Sequence, residues 1–165
     1  MALSIGPFLR RRWRTASRLP GGKWLFSRLL GLYVPYTGSI RAKVETLEPG
    51  HCRVRLRKRR RVSNHLGSVH AMALCNLAEM ATGLALLNGL PAGTRGILGE
   101  FSIVYLKKAR GLLNAECRCE VPADNRQREL ELTGEIRDEA GDVVALAKAR
   151  WLIGPEKDAA VGAAD

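Results

Sequence analysis

Between His70 and Arg95 the chain carries a single charged residue, Glu79. The segment around it, from Ala71 to Leu87, has no proline and is rich in alanine, leucine and methionine, which are strong helix formers. It predicts a helix over residues 70–89, ended by Asn88-Gly89 with Pro91 just beyond. A helix that is apolar all round is buried, in a core or in a membrane. Asn76, Glu79, Thr82 and the many small residues favour a protein core. An ionised carboxylate in such a place is costly unless something compensates it. Buried acids with perturbed pKa values cluster at functional sites, so Glu79 is the first candidate site residue.

The rest of the chain is dominated by alternation. Ile40, Ala42, Val44 and Thr46 alternate with Arg41, Lys43 and Glu45. After a Pro49-Gly50 turn, Cys52, Val54 and Leu56 alternate with Arg53, Arg55 and Arg57, which makes a hairpin. Four further strands are expected over residues 97–107, 112–121, 127–137 and 143–153. Clean alternation means an antiparallel sheet with one wet face. Its apolar face needs a cover, and the helix around Glu79 supplies one. The expected class is therefore α+β, an antiparallel sheet of about six strands wrapped around one long central helix. The acidic face of strand 127–137 would neutralise the basic face of strand 52–61 if the two were neighbours.

A length of 165 residues suits one domain. The net charge of +11 is concentrated at the start, because residues 1–44 contain no Asp or Glu. Residues 1–36 read as a basic N-terminal extension, with Pro7 and Pro20 as breaks and a short amphipathic helix over 23–32. This extension resembles a mitochondrial transit peptide and equally a basic helix lying on a membrane. A second basic run covers Arg57 to Arg61. Such excess favours anionic partners. Nucleic acid is disfavoured, because no aromatic residue interleaves with the arginine run. The four cysteines lack the paired spacing of a zinc site. His65, His70 and Cys75 do not converge at helical spacing either, so no metal and no cofactor are expected. Residues 37–154 would form the folded domain and 155–165 a disordered tail. Reduced thiols suit a cytoplasmic protein, with peripheral membrane contact left open by the basic start.

Strand, strand, long helix and four strands, with Asn64-x5-His70-x8-Glu79 spanning the loop and the helix, resembles the hotdog-fold thioesterases. The phenylacetyl-CoA thioesterase-like group is the nearest in flavour. Asn64 and His70 match the family Asn and His. Ala71 and Met72 stand where two glycines are usual, and Glu79 stands at the catalytic acid. More narrowly, the chain resembles a hotdog subgroup known only as a domain of unknown function. The resemblance covers residues 38–153.

The resemblance implies an acyl-CoA or acyl-carrier-protein thioesterase. Glu79 would be the general base that activates water, and the Ala71 N–H at the helix start would stabilise the oxyanion. Asn64 and His70 would position water and carbonyl. Gly67 and Met72 would shape the acyl site, and Arg59, Arg60, Lys107 and Lys108 are candidates for the coenzyme A phosphates. The family's acid works against the helix start of a second subunit, so a homodimer or a dimer of dimers is implied. The alternative is a non-catalytic acyl- or lipid-binding hotdog protein, docked on membranes by its basic N-terminus.

Overall fold

A computed structural model describes residues 4–156; the tail expected to be disordered lies almost wholly outside the described residues. The chain opens with three helices: α1 (Ile5–Ala16), α2 (Gly22–Tyr33) and the short α3 (Pro35–Ser39). Strands β1 (Lys43–Glu48) and β2 (His51–Arg57) follow, then a 3-10 turn at Arg60–Val62 and the long helix α4 (Ala71–Gly89). Strands β3 (Thr94–Tyr105), β4 (Leu112–Arg118), β5 (Arg128–Arg137) and β6 (Val143–Pro155) complete the chain.

The six strands form one antiparallel sheet in the order β1-β2-β4-β5-β6-β3. Alternation does what it predicts. Cys52, Val54 and Leu56 of β2, Leu113, Ala115 and Cys117 of β4, and Ala145, Ala147, Ala149, Trp151 and Ile153 of β6 all turn into the core. The sheet curls around α4, whose Leu77, Ala78, Ala81, Thr82, Ala85 and Leu86 are fully buried against it. Small residues let the backbones approach. A Cβ on Gly134 of β5 would sit 3.1 Å from the Thr82 methyl, and one on Gly89 would sit 2.5 Å from Val121. Truncating Leu77 to alanine in such a core costs about 2–5 kcal/mol. By length and hydropathy α4 could cross a membrane, but most of it is buried inside the fold.

The expected β2–β5 neighbourhood is wrong. β4 lies between them, and the registered pair is Arg53 opposite Glu116. Glu116 receives Arg53 at 2.9 Å, Arg118 at 3.0 Å and His51 at 2.8 Å. The acids of β5 find cations on β6 instead, where Lys148 meets Glu131 at 3.2 Å and Arg150 meets Glu129 at 3.7 Å. Charge complementarity is satisfied either way, so it does not choose strand order. The basic run also leaves the strand early: β2 stops at Arg57, and Arg60 and Arg61 belong to the 3-10 turn.

Pro7 does not break the N-terminal lead. It sits in the first turn of α1, where a proline's missing N–H costs nothing because those groups lack intrahelical acceptors. Pro20 does separate α1 from α2. Pro35, like Pro7, stands in the first turn of its helix, α3.

The N-terminal helices are fastened to the domain rather than trailing from it. A Cβ on Gly6 would lie 2.3 Å from the Leu90 carbonyl oxygen, so α1 touches the end of α4 backbone to backbone. Arg10 donates to the carbonyls of Asn88 and Leu90, which are orphaned acceptors at the helix end. Ser4 Oγ accepts the Gly93 N–H at 2.9 Å. On α2, Ser27 Oγ accepts the Val44 N–H at 2.9 Å, and Lys23 donates to the Glu45 carbonyl at 2.7 Å. The Trp13 and Phe26 rings pack edge to face, 5.1 Å between centroids, and join α1 to α2.

Candidate active site

The loop before α4 is closed by Asn64. Its side-chain oxygen accepts the Leu66 N–H at 3.0 Å, the Ser68 N–H at 3.1 Å and the Ser68 hydroxyl at 3.1 Å. Gly67 at φ +70° supplies the left-handed turn that this closure needs. His70 then caps the helix: its Nδ1 accepts the Met72 N–H at 3.1 Å. An accepting Nδ1 puts the proton of the neutral ring on Nε2. Ala71 is the first helical residue, so its N–H has no intrahelical acceptor and stays available at the positive end of the helix dipole. Tyr105 of β3 braces this corner, with its hydroxyl donating to the Ala71 carbonyl at 3.2 Å and meeting Cys75 Sγ at 3.1 Å. Burial and that thiol contact push the Tyr105 phenol above its usual range.

Glu79 lies eight residues further along. At 1.5 Å per residue the Ala71 N–H and Glu79 are about 12 Å apart along one helix. They do not converge on one carbonyl within a subunit. Glu79 is half-buried, and desolvation holds its carboxyl above the usual carboxylate range. It stands beside Gly83: a Cβ there would lie 3.5 Å from Glu79 Oε1 and 3.1 Å from the Trp151 ring. Among the described residues the buried Trp151 Nε1–H has no acceptor.

Glu79 forms part of the wall of an apolar cavity of about 540 Å³, inside the ~300–1,000 Å³ range of small-molecule sites. α4 contributes Glu79, Met80, Gly83, Leu84 and Leu87. The other wall is the N-terminal extension: Ile5, Phe8, Leu9 and Arg12 from α1, and Phe26, Leu29, Leu30 and Tyr33 from α2. Sequence reasoning missed these residues. The one local signal is the amphipathic stretch over 23–32, which reads as part of an extension outside the domain.

The remaining expected contacts are scattered. Met72 is exposed beside the helix start. Arg59 donates to the Ile40 carbonyl, while Arg60 and Lys108 are exposed. Lys107 is already taken: it bonds Asp138 at 2.8 Å and Asp142 at 2.5 Å, which raises its pKa, so a phosphate would have to displace two carboxylates. Among the described residues no three His, Cys, Asp or Glu side chains lie close enough to share a metal ion.

The sequence matches, over residues 22–153, the family described as a domain of unknown function, DUF4442. The chain belongs to that family. The matched region takes in α2 and α3 as well as the sheet and α4, whereas α1 precedes it. Among solved structures, the structural-genomics target APC5556 is 28% identical, with TM-score 0.76, over 90% of this chain and 99% of that one. A probable thioesterase of unknown function from Pseudomonas aeruginosa, PA5026, is 25% identical, with TM-score 0.71, over 84% of this chain and 97% of that one. The Haemophilus influenzae thioesterase HI1161 is 13% identical, with TM-score 0.66, over 76% and 86% respectively, and shares the fold. No curated protein matches the chain. The fold is the hotdog fold of these thioesterases, as the sequence resemblance implied.

Proposed function

We propose that the chain hydrolyses acyl thioesters, of coenzyme A or of an acyl-carrier protein. The observation that carries this reading is Glu79: a carboxylate with a raised pKa in the wall of an apolar cavity, in a chain whose structural relatives include a probable thioesterase. A carboxylate desolvated in this way is a competent general base near neutral pH. Glu79 takes a proton from water as the water oxygen attacks the thioester carbon. The carbonyl oxygen becomes an oxyanion on the Ala71 N–H. Collapse breaks the C–S bond, the proton goes to the departing thiolate, and a carboxylic acid and a thiol leave.

The separation of Glu79 from its own helix start asks for a second subunit. Strand β3 supports one. It is twelve residues long and lies at an edge of the sheet. Ile97 and Val104 on it, and Leu106 just past its end, are exposed apolar side chains. A long apolar edge strand is a pairing surface. Pairing of β3 with its counterpart would make the homodimer in which the Glu79 of one copy serves the Ala71 of the other. Arg60 and Lys108 remain the candidates for the phosphates, since Arg59 is engaged with the Ile40 carbonyl.

One observation favours the second reading, an acyl-binding protein without turnover. The Asn64 oxygen accepts three bonds within its own loop, and His70 Nδ1 is occupied by its cap, so neither atom is free to orient water. Hydrolysis of an acyl-CoA panel by wild type and by Glu79→Gln separates the two. Thioesterase activity lost in Glu79→Gln supports the enzyme; acyl-CoA held without turnover supports the binder. Equal hydrolysis by both proteins removes Glu79 as the base.

A further inference from the structure

The inner face of α2 belongs to the domain, through Phe26, Ser27 and Leu30. Its outer face is also apolar. Leu25, Leu29, Leu32 and Tyr33 are spaced to lie on one side of the helix, and Tyr36 of α3 extends that stripe. They are open to solvent: Leu32 is 77% exposed, Tyr33 76% and Tyr36 69%. Trp24 stands beside them, also exposed, with the Arg28 guanidinium 5.4 Å above its ring. An outward face of this kind is a liability in a soluble protein unless something covers it.

The charge next to it says what. Arg28, Leu32 and Arg41 line one shallow hollow between α2 and α3. Arg59 reaches the same corner and donates to the Ile40 carbonyl. Partial burial lowers the Arg59 pKa, and the neighbouring charges of Arg41, Arg28 and Arg61 lower it further; among the described residues none of these four arginines forms an ion pair with a carboxylate. The four arginines therefore form a cationic group at the border of the apolar stripe. Leucines and aromatics on one side, flanked by unneutralised arginines, are the composition of a helix that lies in the headgroup region of an anionic bilayer. A second copy of this chain would bring the same four arginines and no compensating acids from this corner.

We propose that the α2–α3 face is a docking surface for an anionic lipid bilayer. Leu25, Leu32, Tyr36 and Trp24 enter the interface, and Arg28, Arg41, Arg59 and Arg61 sit on the lipid phosphates. Leu29 and Tyr33 belong both to this face and to the Glu79 cavity, so the cavity opens at the docking surface. Docking stands whether or not Glu79 hydrolyses anything, since its test reads binding and not turnover.

The test uses the full chain with vesicles of phosphatidylcholine alone and of phosphatidylcholine with phosphatidylglycerol. The protein should co-sediment with the anionic vesicles and far less with the neutral ones, and salt should weaken the binding. Tryptophan emission should shift to the blue and be quenched by brominated lipid in wild type, and both effects should be lost in Trp24→Phe. The double variant Leu32→Asp, Tyr36→Asp should bind about tenfold less or weaker still. Arg28→Gln and Arg41→Gln should each lose roughly fivefold, on anionic vesicles only. Circular dichroism checks the folding of every variant; the arginine variants decide alone if the apolar double variant fails to fold. Wild type that stays in solution with anionic vesicles overturns the proposal, as does binding unchanged in the folded variants. Sedimentation in which the apolar variants turn a larger oligomer into a smaller one, without vesicle binding by wild type, assigns the stripe to a second copy and overturns it too.

Discussion

The His70 ring accepts the Met72 N–H, and that one contact leaves Ala71 as the unspent donor of the α4 start. Ala71 is the first helical residue, where proline is well tolerated because the N–H it lacks has no helical acceptor. His70 at φ −63° and ψ 141° has the extended backbone that a residue before proline requires. Ala71→Pro therefore deletes the proposed oxyanion donor with little structural cost. Its melting temperature should stay within a few degrees of wild type, while kcat falls by about 10²–10³, the usual effect of losing one such donor. Unchanged kcat in a folded Ala71→Pro protein excludes that N–H from the reaction.

Glu79→Gln should separate stability from activity. Desolvation raises the folded pKa of Glu79 above its unfolded value. The raised group contributes stability that is present below the unfolded pKa and lost as pH rises through the folded pKa, because the native state must then bear a half-buried charge. Glutamine bears none. The variant should gain in melting temperature relative to wild type as pH is raised from about 4 toward neutrality, with little or no gain at the acid end. Thioesterase activity should disappear across the whole range, and the acid limb of the wild-type rate profile should lie above the ordinary glutamate range. A melting difference that does not change with pH contradicts the assigned burial of the charge.

The sheet and α4 were legible because each follows one period: alternation in β2, β4 and β6, and unbroken apolar helix formers around Glu79. Glu79 was legible because no other charge stands near it in sequence. The strand order was not, since Arg53 and Glu131 each have more than one plausible counter-charge and side-chain pairing is weak compared with the packing that sets topology. The second wall of the cavity was invisible for a different reason. It depends on Gly6 meeting Leu90 and on Arg10 reaching Asn88, contacts between residues some eighty positions apart. Nothing local to residues 5–16 distinguishes a helix that docks on α4 from a basic leader that does not. The spacing Asn64-x5-His70-x8-Glu79 singled out the candidate residues, but it could not show that Asn64 and His70 are occupied by their own loop and helix.

Arg10→Met tests that second wall. Methionine keeps the length of the side chain and removes the donors to Asn88 and Leu90. Hydrogen bonds from a charged donor at a half-exposed helix end contribute about 1–2 kcal/mol. α1 should loosen without global unfolding. Hydrogen exchange should accelerate over residues 5–16, and a solvatochromic apolar dye that fills the cavity should lose affinity. Unchanged exchange over α1 would show that Gly6 and the Trp13–Phe26 contact hold the helix by themselves.

Arg41 sits at φ 48°, a left-handed conformation that costs a non-glycine residue about 1 kcal/mol. It turns the chain from α3 into β1. Arg41→Gly relieves the strain, while the greater freedom of glycine in the unfolded chain takes back part of the gain. The net expectation is stabilisation of up to about 0.5 kcal/mol, read as a small rise in urea midpoint at constant slope. A more stable protein that also binds anionic vesicles less well would show an arginine held at a conformational cost for a surface role. A less stable Arg41→Gly protein would mean that the arginine side chain makes contacts that outweigh the backbone strain.

Leu30→Trp tests what the cavity is for. Leu30 is a half-buried α2 residue whose side chain lines the cavity opposite α4. A larger ring there projects into empty volume rather than into packed core, so the overpacking penalty of about 1–3 kcal/mol should be largely avoided. If the acyl chain lies in this cavity, the variant should lose activity selectively on long chains. Each methylene denied burial weakens binding of the chain by about fourfold, so kcat/KM should diverge from wild type steadily with chain length and agree with it for acetyl and propionyl thioesters. A uniform loss at every length would place the acyl chain elsewhere and leave the α1–α2 wall as packing alone.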